Sequence, residues 1–296
     1  MNETRSDAAH DCRPVIPDGG WVAVSAAGQN LLDAIAADPQ GTLLATDVDG
    51  TLAPIVEDPA QAAVPDQGRE ALAALDGRLG SLAVITGRPV ARAAEMLRAH
   101  RPGLEHLVLL GLYGNECYDP TSGQLQIPEP PAVVGRARRD LQDAVDRAIE
   151  ENPELTGAMV EDKSSSVALH TRRARDREAA WQLLAPVARR LGKDLALTVE
   201  EGREVVELKA FRTSKADALN RLVAQHHPEV LVMCGDDLGD LPAMGVVQRW
   251  MDRGGSGARV VSYSAEQPQV AQTADVLCDG PAGVAALLAE IGARLT

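Results

Sequence analysis

Apolar residues follow two rhythms along this chain. Residues 42–46 (Thr-Leu-Leu-Ala-Thr), 81–85 and 107–112 are short apolar runs that stop at polar or turn-forming residues. That is the pattern of strands buried on both faces of a parallel sheet. Around them, apolar positions recur at helical spacing over residues 22–37, over residues 67–79, and from Pro89 to about residue 99. Pro89 suits a first helical turn, where its missing N–H costs nothing. The alternation predicts a doubly wound, Rossmann-like α/β sheet. Pro128, Pro130 and Pro131 then break the rhythm. A helix over residues 134–150 is followed by strands at 155–161 and 166–171. A helix at 176–191 and strands at 195–200 and 204–208, joined at Glu201-Gly202, complete the segment. It reads as a small α+β unit with an antiparallel sheet. From Thr213 the first rhythm returns, with a helix at 214–225, strands at 230–234 and 258–261, and a helix at 282–293. The expected organisation is a flexible tail at 1–20, an α/β core at 21–129 and 210–296, and an inserted α+β domain at 130–209.

Composition narrows the function classes. Hydrophobic residues make up 45% of the 296, enough for a packed core. The net charge of -14 argues against a nucleic-acid partner, because phosphate backbones attract clustered Lys and Arg. One Phe, three Tyr and three Trp provide no base-stacking platform. The four cysteines, Cys12, Cys117, Cys234 and Cys278, form no CxxC pair, which points away from zinc or a disulfide framework and toward a reducing cytoplasm. No apolar run of about 18 residues predicts a membrane span, and residues 1–20 lack the apolar stretch of a signal peptide. Oligomeric state is left open.

Four groups of residues carry candidate chemistry. Asp47-Val48-Asp49-Gly50-Thr51-Leu52 follows the first predicted strand, and strand ends are where open α/β sheets bind ligands. Two carboxyls two residues apart suit a nucleophile paired with an acid/base, and Gly50 permits a sharp turn that brings backbone N–H groups near an anion. Gly235-Asp236-Asp237-Leu238-Gly239-Asp240 ends another strand. Its three carboxylates repel one another unless a hard cation neutralises them, and Asp236 and Asp240 are the candidate ligands. An acidic loop in which Asp240 caps the next helix is the plainer reading of the same residues. Thr86-Gly87-Arg88 offers a hydroxyl and backbone donors for phosphate, and Lys215 near a helix start offers a positive charge. A bound divalent cation would also reconcile an acidic protein with an anionic substrate.

Together and in this order, these groups resemble the haloacid dehalogenase superfamily of phosphatases. The resemblance implies Asp47 as nucleophile, Asp49 as general acid/base, and Thr86 and Lys215 on the phosphoryl group, with Gly50, Thr51, Gly87 and Arg88 at the substrate. It implies Mg²⁺ held by Asp47, the Asp49 main-chain carbonyl and Asp236, with Asp240 in support. A narrower likeness is to the trehalose-6-phosphate phosphatase family. Asp49-Gly50-Thr51-Leu52-Ala53-Pro54-Ile55 with Pro59 is similar to that family's first motif. Gly111-Leu112-Tyr113-Gly114-Asn115-Glu116 is similar to its GLHGxE segment, with Tyr113 in place of His. The string from Val160 to Arg172 is similar to VEDKxxSxxxHxR. This likeness implies a sugar-phosphate substrate read by Glu161, Lys163, His170, Arg172 and Glu207. The final motif departs from the family pattern GDDxTDE at Gly239 and Leu241, which removes a hydroxyl and a carboxylate. Action on another sugar phosphate, or binding of a phospho-sugar without turnover, are the alternatives.

Overall fold

The computed structural model describes residues 15–129, 131–163, 165–210 and 213–295. The expected tail at 1–20 therefore lies outside the described residues up to position 14. Two units are present. One comprises the described residues up to Ile127 and from Thr213 onward, and the other comprises those between Pro128 and Arg212.

The first unit is built on β1 (Trp21–Ala23), β2 (Thr42–Thr46), β3 (Ser81–Ile85), β4 (Val108–Gly111), β5 (Glu116–Asp119), β6 (Gln124–Gln126), β11 (Val230–Gly235), β12 (Ser256–Ser262) and β13 (Val276–Cys278). They form one sheet in the order β1-β13-β12-β11-β2-β3-β4-β5-β6. The six strands from β13 to β4 are mutually parallel, while β1, β5 and β6 are antiparallel at the edges. Helices cover both faces, which is why the central strands are apolar at nearly every position. On one face α1 (Ala26–Ala37), α2 (Asp66–Ala73), α3 (Val90–Leu97) and α9 (Gly280–Arg294) pack Leu31, Leu72, Met96 and Leu288 against Leu44 and Val232. On the other, α6 (Lys215–His226) and α7 (Leu241–Met251) pack Leu219 and Met244 against Leu43, Ala45 and Met233. The short α8 (Pro268–Ala271) joins this second layer through Val270.

The second unit contains α4 (Ala132–Glu151), α5 (Arg177–Asp194) and the strands β7 (Met159–Asp162), β8 (Ser166–His170), β9 (Thr198–Gly202) and β10 (Val205–Lys209). The strands form an antiparallel sheet in the order β7-β8-β10-β9. Val167, Leu169, Val206 and Leu208 pack on Leu141, Val145 and Leu184 of the two helices. Because side chains alternate along a strand, the opposite face carries Glu161, Ser166, Ala168, His170 and Glu207. Among the described residues no helix is long and apolar enough to cross a membrane.

Several expected elements change at their ends. The helix predicted over residues 22–37 begins only at Ala26, after Ser25 accepts a capping hydrogen bond from Gly28 N–H. Val22 instead lies in β1, paired with Leu277. The helix predicted over 67–79 ends as α2 at Ala73, and Gly77 takes a positive φ of 70° in the following turns. The strand predicted from 155 starts at Met159, because Pro153–Leu155 forms a short 3₁₀ turn. The meander β5–β6 and the short strand β13 were not anticipated, and of α7 only its start after Asp240 was.

Gly28 marks a tight contact between α1 and the sheet. A Cβ at this position would lie 2.0 Å from the Asp275 carbonyl oxygen. Gly28→Ala is therefore expected to destabilise the protein by about 1–3 kcal/mol through overpacking. A urea titration checks this, as a lowered midpoint with an unchanged slope.

Candidate active site

The strand order reverses its direction of growth between β2 and β11. From β2 the chain winds outward through β3 and β4, and from β11 it winds the other way through β12 and β13. Ligands of open α/β sheets bind at such a point, beyond the carboxyl ends of the strands. Asp47 follows β2, Asp236 follows β11 and Thr86 follows β3. The Asp47 N–H donates to the Cys234 carbonyl at 2.9 Å, which fixes the first carboxylate beside the second strand end.

Lys215 is the centre of the cluster. It opens α6, whose start is fixed by a capping box between Ser214 and Asp217. Its Nζ lies 2.8 Å from Asp47 Oδ2 and 2.7 Å from Asp240 Oδ1. The other Asp240 oxygen accepts from the N–H groups of Asp236, at 3.1 Å, and Asp237, at 3.3 Å. Asp240 thus turns back on the loop instead of capping α7 with its side chain. Asp236 Oδ1 accepts from the Thr51 hydroxyl at 3.0 Å. Gly50 has a φ of 72°, and a Cβ there would sit 2.0 Å from Asp236 Oδ2. Only glycine lets the first motif turn directly under that carboxylate.

Asp47, Asp236 and Asp240 are buried, and an oxygen of each lies within 4.8 Å of the others. Lys215 supplies one positive charge to three carboxylates. Burial pushes the Asp47 carboxyl up to about 8 against the opposing pull of Lys215. Burial also raises Asp236, to about 7, despite the Thr51 hydrogen bond, with Asp240 and Asp237 adding repulsion. For Lys215, burial favours the neutral amine, but Asp47 and Asp240 outweigh it and hold the ammonium form. Asp237 Oδ1 is shielded and lacks a hydrogen-bond partner among the described residues. An all-oxygen donor set with a deficit of positive charge fits a hard divalent cation.

The remaining first-unit candidates surround this cluster. Thr86 is buried, and its hydroxyl accepts from Arg88 N–H at 3.2 Å. Gly87 lies against the Tyr113 ring. The Arg88 guanidinium forks onto Asp49, with Nε to Oδ2 at 2.6 Å and Nη2 to Oδ1 at 2.7 Å. Two expectations need correction. Thr51 was expected at the substrate, but its side chain is fully buried and serves Asp236. Gly50 was expected at the substrate as the sharp turn that brings backbone N–H groups near an anion; the turn is present, and its own N–H is bonded to the Ala53 carbonyl at 2.8 Å.

On the polar face of the second unit, β7, β8 and β10 align Glu161, Ala168 and Glu207 in one row. Ala168, between the two glutamates, is fully buried. Lys163 Nζ lies 3.2 Å from Glu207 and 3.8 Å from Glu161, and His170 Nε2 lies 2.7 Å from Glu161. Ser166, the serine of the matched string to which no role was given, donates to Glu207. Burial opposes ionisation of Glu207, but Ser166, Lys163 and Lys209 outweigh it and lower its pKa. Arg172 follows β8 on an exposed turn and makes no hydrogen bond to this cluster among the described residues.

Glu116 is a second residue whose role was not foreseen. Pro89 at the start of α3 has no capping side chain, and Glu116 Oε2 from β5 accepts from Val90 N–H at 2.7 Å. That contact satisfies an orphan donor and places negative charge at a helix N-terminus, so it steadies the Thr86-Gly87-Arg88 turn just ahead.

A family profile described as trehalose-phosphatase matches residues 45–280. A probable trehalose-phosphate phosphatase of Sinorhizobium fredii is 30% identical over 229 residues, covering 76% of this chain and 81% of that protein. The trehalose-6-phosphate phosphatase of Escherichia coli is 34% identical over 209 residues, covering 69% of this chain and 72% of its own length. Among solved structures, that of Aspergillus fumigatus trehalose-6-phosphate phosphatase superposes with a TM-score of 0.66 at 22% identity, covering 90% of this chain and 97% of the other, a likeness of fold.

The raised Asp236 carboxyl has a consequence for stability. A carboxyl whose folded pKa exceeds its unfolded value costs stability as pH rises from about the unfolded value, 3.8, through the folded one, about 7. Asp236→Asn removes that cost. Above neutral pH and without metal, it is expected to raise the melting temperature by about 2–4 °C, as for about 1 kcal/mol. The difference from the unsubstituted protein should vanish as the pH falls below the window, and added Mg²⁺ should stabilise only the unsubstituted protein. Thermal melts across pH with EDTA or Mg²⁺ check all three outcomes.

Proposed function

The chain belongs to the trehalose-phosphatase family, and we propose that it hydrolyses trehalose 6-phosphate to trehalose and inorganic phosphate through a phosphoryl group carried on Asp47. The observation that supports this most is the buried Asp47 carboxylate held against Lys215 Nζ at 2.8 Å at the topological switch point. A carboxylate so fixed attacks in line without first having to be ordered.

Asp47 Oδ1 or Oδ2 attacks phosphorus, and the bond from phosphorus to the sugar oxygen breaks. Asp49 gives that oxygen its proton. Asp49 then takes a proton from water as the water attacks phosphorus, and inorganic phosphate leaves with Asp47 restored. A general acid of this kind contributes about 10²–10⁴ in rate, whereas enzymes on phosphate monoesters reach accelerations of up to about 10²¹. Most of the barrier therefore falls to positioning and charge stabilisation. Lys215, the Thr86 hydroxyl and the Gly87 N–H stabilise the phosphoryl oxygens. Asp47, Asp236 and the Asp49 main-chain carbonyl would hold Mg²⁺, with Asp240 positioning Lys215 and the Asp236 backbone. When bound, Mg²⁺ offsets the negative charge that the carboxylates and the phosphate bring together.

Substrate choice rests with the second unit. Glu161, Lys163, His170 and Glu207 present alternating donors and acceptors suited to a ring of sugar hydroxyls, and a site built for hydroxyls discriminates against analogues that leave it unpaired. Cys117, Cys234 and Cys278 are free thiols, which supports a reducing, cytoplasmic compartment.

Phosphate release from trehalose 6-phosphate, glucose 6-phosphate, sucrose 6-phosphate and p-nitrophenyl phosphate, each with Mg²⁺ and with EDTA, tests this reading. A strong Mg²⁺-dependent preference for trehalose 6-phosphate is expected. A preference for another ester would overturn the assignment of substrate. Asp47→Asn is expected to abolish turnover with a native circular dichroism spectrum. Lys163→Ala is expected to raise KM for trehalose 6-phosphate by about tenfold, as for loss of about one charge-assisted hydrogen bond, and to change turnover of p-nitrophenyl phosphate much less. Equal losses on both esters would contradict the division of labour.

A further inference from the structure

The Arg88 guanidinium is occupied in a way that a phosphate ligand need not be. Nε donates to Asp49 Oδ2 at 2.6 Å and Nη2 to Asp49 Oδ1 at 2.7 Å, a two-point planar fork. The third nitrogen, Nη1, donates to the Pro59 carbonyl at 2.9 Å. The Arg88 backbone is held as well. Its N–H donates to Thr86 Oγ1 at 3.2 Å, and its carbonyl accepts from Leu112 N–H at 2.9 Å. Four residues on, in the first turn of α3, Arg92 Nη2 donates to the carbonyls of Ala60 and Ala62, each at 2.7 Å. Two arginines, one before α3 and one in it, thus tie down the segment that follows the first motif, and the first also grips the carboxylate of Asp49.

We propose that Arg88 is a positioning residue for Asp49: the guanidinium fork fixes the plane and place of the carboxylate that exchanges the proton with the leaving oxygen. This rests on the reading of Asp49 as the general acid. An aspartate carboxylate turns about two single bonds, and its side chain here is one-third exposed, so burial alone does not hold it. The fork stops both rotations. Two parallel N–H···O bonds use one lone pair on each oxygen, and the second position on one oxygen carries the proton that passes to the leaving oxygen and is regained from water. Lysine, a point charge without a planar fork, cannot impose this orientation.

Proton donation matters for an alkoxide leaving group and much less for p-nitrophenolate, which departs without a proton. The ratio kcat/KM reads only the steps through departure of the leaving group. The test therefore compares kcat/KM for trehalose 6-phosphate and p-nitrophenyl phosphate in Arg88→Ala and Arg88→Lys, each alone and combined with Asp49→Asn. Misplacing a reacting group by about 1 Å costs about 10²-fold, so Arg88→Ala should lose about that on the sugar phosphate and less than about tenfold on the aryl ester. Arg88→Lys should stay within about threefold of Arg88→Ala on the sugar phosphate. In the Asp49→Asn background, Arg88→Ala should cost less than about twofold more, since residues acting as a unit are not additive. Equal losses on both esters, or full additivity with Asp49→Asn, would overturn the proposal and make Arg88 a direct phosphate ligand. If Arg88→Ala does not fold, Arg88→Gln carries the same comparison. If Asp49→Asn itself fails to separate the two esters, the general-acid reading falls and this inference with it; failure of the inference alone leaves that separation intact.

Discussion

A buried ammonium between two carboxylates organises the catalytic unit. Lys215 reaches Asp47 at 2.8 Å and Asp240 at 2.7 Å, and all three side chains are buried. Removing one partner from such a group leaves an uncompensated charge in a medium of low polarisability, at a cost of about 3–5 kcal/mol. The arrangement therefore demands that three chain segments far apart in sequence arrive together: the end of β2, the loop after β11 and the first turn of α6. Asp240 then spends its second oxygen on the backbone of Asp236 and Asp237. Asp236 is consequently held over Gly50, where only a hydrogen fits. The remaining excess of negative charge makes the cluster a natural seat for a divalent cation.

The two units solve different problems with the same elements. In the first, strand ends converge at a switch point and present charge at a place where backbone geometry is rigid. In the second, one face of an antiparallel sheet is covered by α4 and α5, and the other spreads Glu161, Lys163, His170 and Glu207 over adjacent strands. Strand alternation alone separates the apolar row from the polar one. The first unit gathers buried charge, while the second presents hydrogen-bonding groups whose partners are one another.

Much of this was legible in the residues. The central strands declared themselves because both of their faces are buried, so Thr42–Thr46 and Val230–Gly235 read as apolar runs ending in acidic motifs. Lys215 was expected on the phosphoryl group by resemblance, and the structure sets its Nζ against Asp47. Edge elements were harder. Glu116–Asp119 offers only two adjacent apolar residues between two acidic ones, with no period-2 pattern, so β5 was missed, and with it the reason why Glu116 caps α3. Val22 fitted a helical period but pairs with Leu277, a tertiary contact that no local pattern encodes. Thr51 and Arg88 were both expected at the substrate. Each meets a carboxylate brought in from elsewhere in the chain.

The central claim is that phosphate passes through a covalent bond to Asp47, and the stereochemical course at phosphorus tests it most directly. Each in-line displacement inverts the configuration at phosphorus. Turnover of substrate bearing a phosphoryl group made chiral with oxygen isotopes and sulfur, in water of defined isotope, should give a product of retained configuration, because two displacements occur. Inversion would mean that water attacks the ester directly, and would contradict the assignment of Asp47 as the nucleophile.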